Sequence, residues 1–305
     1  MATLQKQAAR LEDRLELHRL WLGQAAGGIR ADMTGATLTD VRLVGVDLRQ
    51  AILRDTSFLD SDLSGANLSG ADLTNADLRR GNLTGADLSG ADLTNTNFQF
   101  ALLGEVYFAE AQILGTRFDK ANLRDCRLFD SRLQGASLSG ANLSGALFNH
   151  CAIEDCSFTG ADLTGAKFLR ARFQSCQFKG ATAEAADFSS VSAPDTDFSG
   201  VQFESVKFYQ ANLSRANFFR AKLSDCNFTE SVLSFADFSK ASLIRSRFTG
   251  ANLTSANLTS AILSGARELT VQQLATALTA AGTTLPNGTN GPYVRGSGAE
   301  RPVTR

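Results

Sequence analysis

Ala66-Asn67-Leu68-Ser69-Gly70-Ala71-Asp72-Leu73-Thr74-Asn75-Ala76-Asp77-Leu78 displays the rule that decides the fold: a large apolar residue at every fifth position, with a small one two residues before it. Followed outward in both directions, the large position runs from Met33 to Leu263 through 47 units without an insertion or deletion, and only Ala183 and Ala193 in that series are small. The residue between the small and the large position is mostly Asp or Asn. The two that follow are mostly Ser or Thr, then Gly or another small or polar residue. A helix needs apolar residues spaced three and four apart and a strand needs alternation, so a period of five fits neither. Two inward residues per five demand a turn in every unit, and a chain that turns so often must coil about an axis. One coil cannot bury its own apolar rows. Coils stacked on coils can, which is the logic of a solenoid.

The motif A(D/N)LxG, carried by Ala66-Asn67-Leu68-Ser69-Gly70 and Ala86-Asp87-Leu88-Ser89-Gly90, resembles that of the pentapeptide-repeat family over residues 31–265. The resemblance implies an all-β fold, a right-handed quadrilateral parallel β-helix with four units per coil. It implies about twelve coils and, at about 4.8 Å between stacked strands, a rod roughly 55 Å long. Residues twenty apart should then lie above one another. The sequence agrees: Phe fills most of the column through 58, 98, 118, 158, 178, 198, 218 and 238, and most of the opposite column through 108, 148, 168, 188, 208, 228 and 248. The other two inward columns are mostly Leu. Ala183 and Ala193 underfill the core, which predicts a local narrowing or bend over 181–196.

The ends need covers, because a solenoid leaves open β-edges. Residues 1–30 read as a helix over roughly 3–22 and a Gly-rich link. Leu4, Ala8, Leu11, Leu15, His18 and Leu22 form one stripe along that helix. Two uses of Leu4, Leu11, Leu15 and Leu22 stay open: a cap on the first coil, or a heptad stripe that pairs two molecules into a homodimer. Residues 31–266 are the repeat region. Residues 267–284 hold a second capping helix at about 270–281, announced by the capping box of Thr270 and Gln273 and covering the last coil with Val271, Leu274 and Leu278. The polar, Gly-rich residues 285–305 are expected to be disordered.

Thirty basic and 31 acidic residues leave a formal charge of -1, so no polybasic surface for direct nucleic-acid binding is expected. Residues 31–100 are modestly acidic, with 10 acidic and 5 basic groups. Charges interrupt the stretch from Leu4 to Leu22, which is neither a signal peptide nor a membrane span. The expected compartment is the cytoplasm. All five cysteines, Cys126, Cys151, Cys156, Cys176 and Cys226, occupy the small inward position and read as small buried hydrophobes. Cys156 and Cys176 should stack, but a reducing compartment and parallel side-chain vectors argue against a disulfide.

Residues able to do chemistry are few. His150, Cys151 and Cys156 have metal-like spacing, but the cysteines point inward from different sides, so no zinc site is expected. The stretch Gly160–Lys167 approaches a phosphate-binding loop and fails it, since Ala166 separates Gly165 from Lys167. The repeated Asp residues read as turn formers bonded to backbone. No catalytic residue, cofactor or metal is expected.

Departures from the repeat at outward positions carry more information. Phe100, Leu102, Tyr107, Phe129, Leu147, Leu169, Tyr209, Phe219 and Phe235 replace the usual small polar residues. Phe129, Leu169 and Tyr209 share one column, and Tyr107 and Leu147 share its neighbour on the same side. Arg127, Lys167, Arg170 and Lys207 lie there too. An apolar stripe flanked by cations is a candidate protein-binding face. The expected function is a non-catalytic scaffold presenting flat β-faces to a protein partner. The family resemblance implies an alternative, a DNA-mimicking binder of DNA gyrase or topoisomerase IV. The near-zero charge and the loop-free repeat depart from that pattern.

Overall fold

The computed structural model describes residues 2–302, with side chains from residue 11 onward. The repeat forms a parallel β-solenoid whose coils take twenty residues each. From Asp32–Ile52 to Arg247–Arg267, each parallel pairing joins residue i to residue i+20. Two opposite walls carry three-residue strands. One holds β1 (Gln112–Leu114), β2 (Arg132–Gln134), β3 (Ala152–Glu154) and β4 (Arg172–Gln174); the other holds β5 (Thr182–Glu184), β6 (Gln202–Glu204) and β7 (Lys222–Ser224). Elsewhere each wall is a single residue pair per step, because the turn consumes the rest of the unit.

Every position in the five has a physical task. The large residue and the small one before it point inward; Leu68, Leu73, Ala71 and Ala76 are all fully buried. The Asp or Asn between them shapes the turn: Asp72 Oδ1 accepts the Thr74 N–H at 3.1 Å and the Thr74 hydroxyl at 2.7 Å. This bears out the reading of those carboxylates as turn formers. The fifth residue sits in the left-handed region, as at Gly65 (φ +64°) and Asn75 (φ +58°), which is why Gly and Asn recur there. Backbone groups then bond from coil to coil, Leu73 N–H to Asp92 O at 2.8 Å and Asp72 N–H to Ala51 O at 3.0 Å.

Hydroxyls are tolerated at the small inward position for one repeated reason. Thr96 donates to Leu73 O at 2.8 Å, Thr116 to Leu93 O at 2.7 Å and Ser246 to Leu223 O at 2.7 Å, each reaching the carbonyl of a large residue one coil back. A buried hydroxyl with a fixed acceptor avoids the penalty of burial. The cysteines use the same geometry: Cys176 Sγ lies 3.3 Å from Ile153 O and Cys226 Sγ 3.7 Å from Phe203 O. All five thiols are buried and unpaired.

Phenylalanines fill the bore as two facing stacks. Phe158 and Phe178 lie parallel with centroids 4.6 Å apart, and Phe148 and Phe168 lie 4.9 Å apart. Across the bore Phe148 meets Phe158 edge-on at 6.0 Å. Both arrangements are favourable for aromatic rings. Ala183 and Ala193 leave no break: Thr182 still pairs with Gln202 and Arg172 with Ser192. The underfilling expected from the sequence is made good by neighbours. Both alanines belong to the coil of Phe188. Phe173 from the coil before and Phe203 from the coil after replace the usual Leu, and their rings come within 6.3 and 6.0 Å of Phe188.

The N-terminal helix α1 (Ala2–Leu22) lies over the first coil. Leu11 and Leu15 pack against the core and Leu22 is half-buried; the Leu4 side chain lies outside the described residues. His18 is buried and its Nδ1 accepts the Ala31 N–H at 3.0 Å, closing one free edge group.

At the other end the structure corrects the sequence reading. Helix α2 (Val271–Thr276) is six residues long, not twelve. Its capping box forms as expected, and Gln273 Nε2 also donates to Phe248 O at 2.7 Å and Ala251 O at 2.9 Å. Leu274 is buried, whereas Val271 and Leu278 are exposed. The helix ends early because the chain returns to the solenoid: Leu278 pairs with Asn257 and Thr284 with Ile262, twenty-one and twenty-two residues on. The tail is placed rather than loose through residue 302. Leu285 and Ala299 are buried, and the Tyr293 hydroxyl donates to Glu300 at 3.1 Å. Sparse apolar residues suffice there because they lie on an already ordered coil.

Candidate protein-binding face

The twenty-residue register builds one wall from residues 106–110 and their equivalents. Its outward column runs through Asp87, Tyr107, Arg127, Leu147, Lys167, Asp187 and Lys207, each paired with the next. Phe129, Leu169 and Tyr209 follow two residues later, in the turns that end these units at the edge of the wall. The register brings Tyr107, Arg127, Leu147, Lys167 and Lys207 into one wall column and puts Phe129, Leu169 and Tyr209 in the adjoining turns. Tyr107, Leu169 and Tyr209 are 41%, 36% and 38% exposed; Phe129 and Leu147 are half-buried.

Tyr107 and Arg127 form a fixed unit. The guanidinium lies 4.7 Å from the ring centroid and donates to the phenol oxygen at 3.0 Å. The arginine is thereby spread flat on the wall, exposing one face of the pair. Arg127, Lys167, Arg170 and Lys207 make no ion pair among the described residues, in contrast to Arg132, which meets Glu154 at 3.5 Å, and Arg215, which meets Asp195 at 2.6 Å.

The remaining outward aromatics fall elsewhere. Phe100 packs beside Lys120, and Phe219 is held between Arg220 and Lys240 with centroid distances of 5.0 and 5.6 Å. Phe235 lies at a corner and is 62% exposed. A feature the sequence reading missed is a shallow depression on the wall of β3 and β4, lined by Glu154, Arg172, Gln174, Ser192 and Pro194. Its signal was present in the sequence: Pro194 lies between the long side chains of Arg172 and Gln174 on the coil before it and the turn that follows.

The acidic stretch is partly neutralised. Asp47 meets Arg49 at 2.7 Å, Asp77 meets Arg79 at 2.7 Å and Asp60 meets Arg80 at 2.6 Å. Hydrogen bonds from those guanidiniums hold each carboxyl below the usual range. Burial raises the cysteine thiols, Cys151 and Cys156 to about 12. No group of three metal-ligating side chains gathers among the described residues. No helix among them is long and apolar enough to cross a membrane.

The repeat has relatives among known proteins. The model of the pentapeptide repeat region matches residues 31–108, 101–171, 151–223 and 201–274. Among solved structures, HetL, a pentapeptide repeat protein involved in heterocyst differentiation regulation from the cyanobacterium Nostoc, is 23% identical. That match covers 79% of this chain and 94% of HetL, with a TM-score of 0.31. A trypsin-treated form of QnrB1, a plasmid-mediated fluoroquinolone resistance protein, is 21% identical over 58% of this chain and 90% of its own, with a TM-score of 0.45. Rfr23 from the cyanobacterium Cyanothece is 21% identical over 57% of this chain and 95% of its own, with a TM-score of 0.17. No curated protein matches. The family match spans residues 31–274, and the chain belongs to the pentapeptide-repeat family.

Proposed function

We propose that the protein is a non-catalytic scaffold that binds a protein partner through the wall of Tyr107, Phe129, Leu147, Leu169 and Tyr209. The observation that carries this reading is the coincidence, on one side of the solenoid, of the exposed Tyr107, Leu169 and Tyr209 with cations that make no ion pair among the described residues. Aromatic residues and arginine are enriched at the centres of protein interfaces.

Affinity capture with the parent chain and with Phe129→Asp, Leu169→Asp, Tyr209→Asp combined tests the proposal. The expected result is loss of the bound partner with the fold intact by circular dichroism. Retention of every partner would overturn it. A DNA-mimicking role is separable by a gyrase supercoiling assay with and without quinolone, in which this reading expects no effect.

A further inference from the structure

We propose that the partner segment seated on this wall is a polyproline-II strand of acidic tripeptides, with a carboxylate and an adjoining apolar residue recurring every third position. The inference rests on the reading of this wall as the contact surface and adds the conformation and charge of what it holds.

The wall has a period longer than one coil. Arg127 accompanies Phe129, Lys167 accompanies Leu169, and Lys207 accompanies Tyr209: a cation and an apolar residue two apart, repeated every forty residues. The coils between carry Leu147 with Asn149 and Asp187 with Ser189. Two coils amount to about 9.6 Å along the axis. A ligand that contacts all three pairs must repeat at that distance.

Few regular conformations do. Polyproline II completes a three-residue turn in about 9.3 Å. An α-helix returns to the same face after seven residues, or about 10.5 Å. An extended strand returns after about 6.7 Å and again after about 13 Å, so it misses the second pair outright. Over the two intervals from Phe129 to Tyr209 the polyproline strand drifts by about 0.6 Å and the helix by about 1.8 Å.

Shape favours the same choice. The cation column lies on the wall itself, and the apolar column lies in the turns at its edge, two residues on. A helix of about 10 Å diameter touches such a wall along one line. The three-fold symmetry of polyproline II sends successive side chains in different directions, so a carboxylate can meet one column while its neighbour meets the other. Prolines also dock well on exposed aromatic rings.

Charge fixes the sign. Arg127, Lys167 and Lys207 have no ion pair among the described residues. Asp187, between the two lysines in the ladder, accepts the Ser189 N–H at 2.9 Å instead. Carboxylates at the nine-ångström repeat supply what the wall lacks.

The test uses the full chain and a fluorescent peptide of repeated Glu-Pro-Leu tripeptides, read by anisotropy. Comparison peptides are repeated Lys-Pro-Leu and a helical peptide with Leu and Glu at heptad spacing. The expected result is that Glu-Pro-Leu binds best, loses at least tenfold in affinity against Lys167→Glu with Lys207→Glu, and weakens with salt; Lys-Pro-Leu gains against that same variant. These exposed changes should leave the melting curve in place. Equal or tighter binding of the helical peptide overturns the proposal, as does no binding of Glu-Pro-Leu, or affinity indifferent to the double reversal. If the Asp triple variant loses its captured partner while Glu-Pro-Leu fails to bind, the wall stands and the polyproline inference falls. If that variant keeps its partners, both fall.

Discussion

Ala183 pairs with Phe203 on the next coil, and the volume missing at the first is present at the second. The same trade holds between Phe173 and Ala193 on the opposite wall. Core volume in this solenoid is therefore conserved over neighbouring coils rather than position by position. Ala183→Leu alone should overpack the bore and destabilise by about 1–3 kcal/mol. Phe203→Leu alone should open a void. The double variant, which restores the repeat consensus, should recover most of either loss, giving a coupling of about 1 kcal/mol or more in urea unfolding. Additive single effects would refute the exchange of volume.

His18 makes the N-terminal cap sensitive to acid. Burial lowers its pKa, while the Arg49 backbone and Asp47 oppose the shift and Arg30 and Arg49 add to it. A histidine whose folded value is depressed contributes stability that is complete above its unfolded value, near 6.5, and is lost as pH falls below it. Protonation at Nδ1 would also remove the acceptor used by Ala31. Trp21, stacked 5.5 Å from the imidazole, is the natural reporter. Its fluorescence should report loosening of the cap between pH 7 and pH 5, and the titration should vanish in His18→Gln.

Thiol chemistry should be silent in the folded chain. Burial raises Cys176 to about 11 and Cys226 to about 12, so little thiolate exists at pH 8. A disulfide reagent such as DTNB should titrate no cysteine before denaturant is added and all five afterwards. Because serine at this position uses the same acceptor as the cysteines, Cys226→Ser should cost under about 1 kcal/mol. A fast-reacting thiol in the native protein would show that coils open locally.

Phe235 is a bulky corner residue with φ +61° and 62% exposure. Left-handed backbone disfavours such a side chain by about 1 kcal/mol, a penalty that Asn largely escapes. Phe235→Asn should therefore raise the urea midpoint slightly, by about 0.5–1 kcal/mol of stability, against the usual direction for removing an aromatic ring. A lower midpoint would reveal a contact that holds the ring in place.

The architecture was legible because inward residues recur without one slip from Met33 to Leu263, and counting by twenty assigns each side chain to a wall. That same counting placed Tyr107 beside Arg127. It could not show their hydrogen bond, which depends on rotamers. Phe173 and Phe203 were visible as departures from Leu, but their partners lie a coil away and the exchange appears only in three dimensions. The C-terminal segment escaped because Leu278 and Thr284 rejoin the sheet one and two residues out of frame, so a short turn of helix reads as a longer one. The depression beside Arg172 escaped because its lining comes from residues about twenty apart in sequence, and no repeat position marks it.

The unbroken frame also dictates how such a molecule can change in length. Deleting twenty residues shortens the rod and leaves every longitudinal file intact. Deleting five between Tyr107 and Lys207 rotates everything downstream by a quarter turn, so phenylalanine files would land over leucine files and Lys207 and Tyr209 would no longer share a side with Tyr107. The stacked rings inside and any ligand spanning several coils outside would both feel it at once.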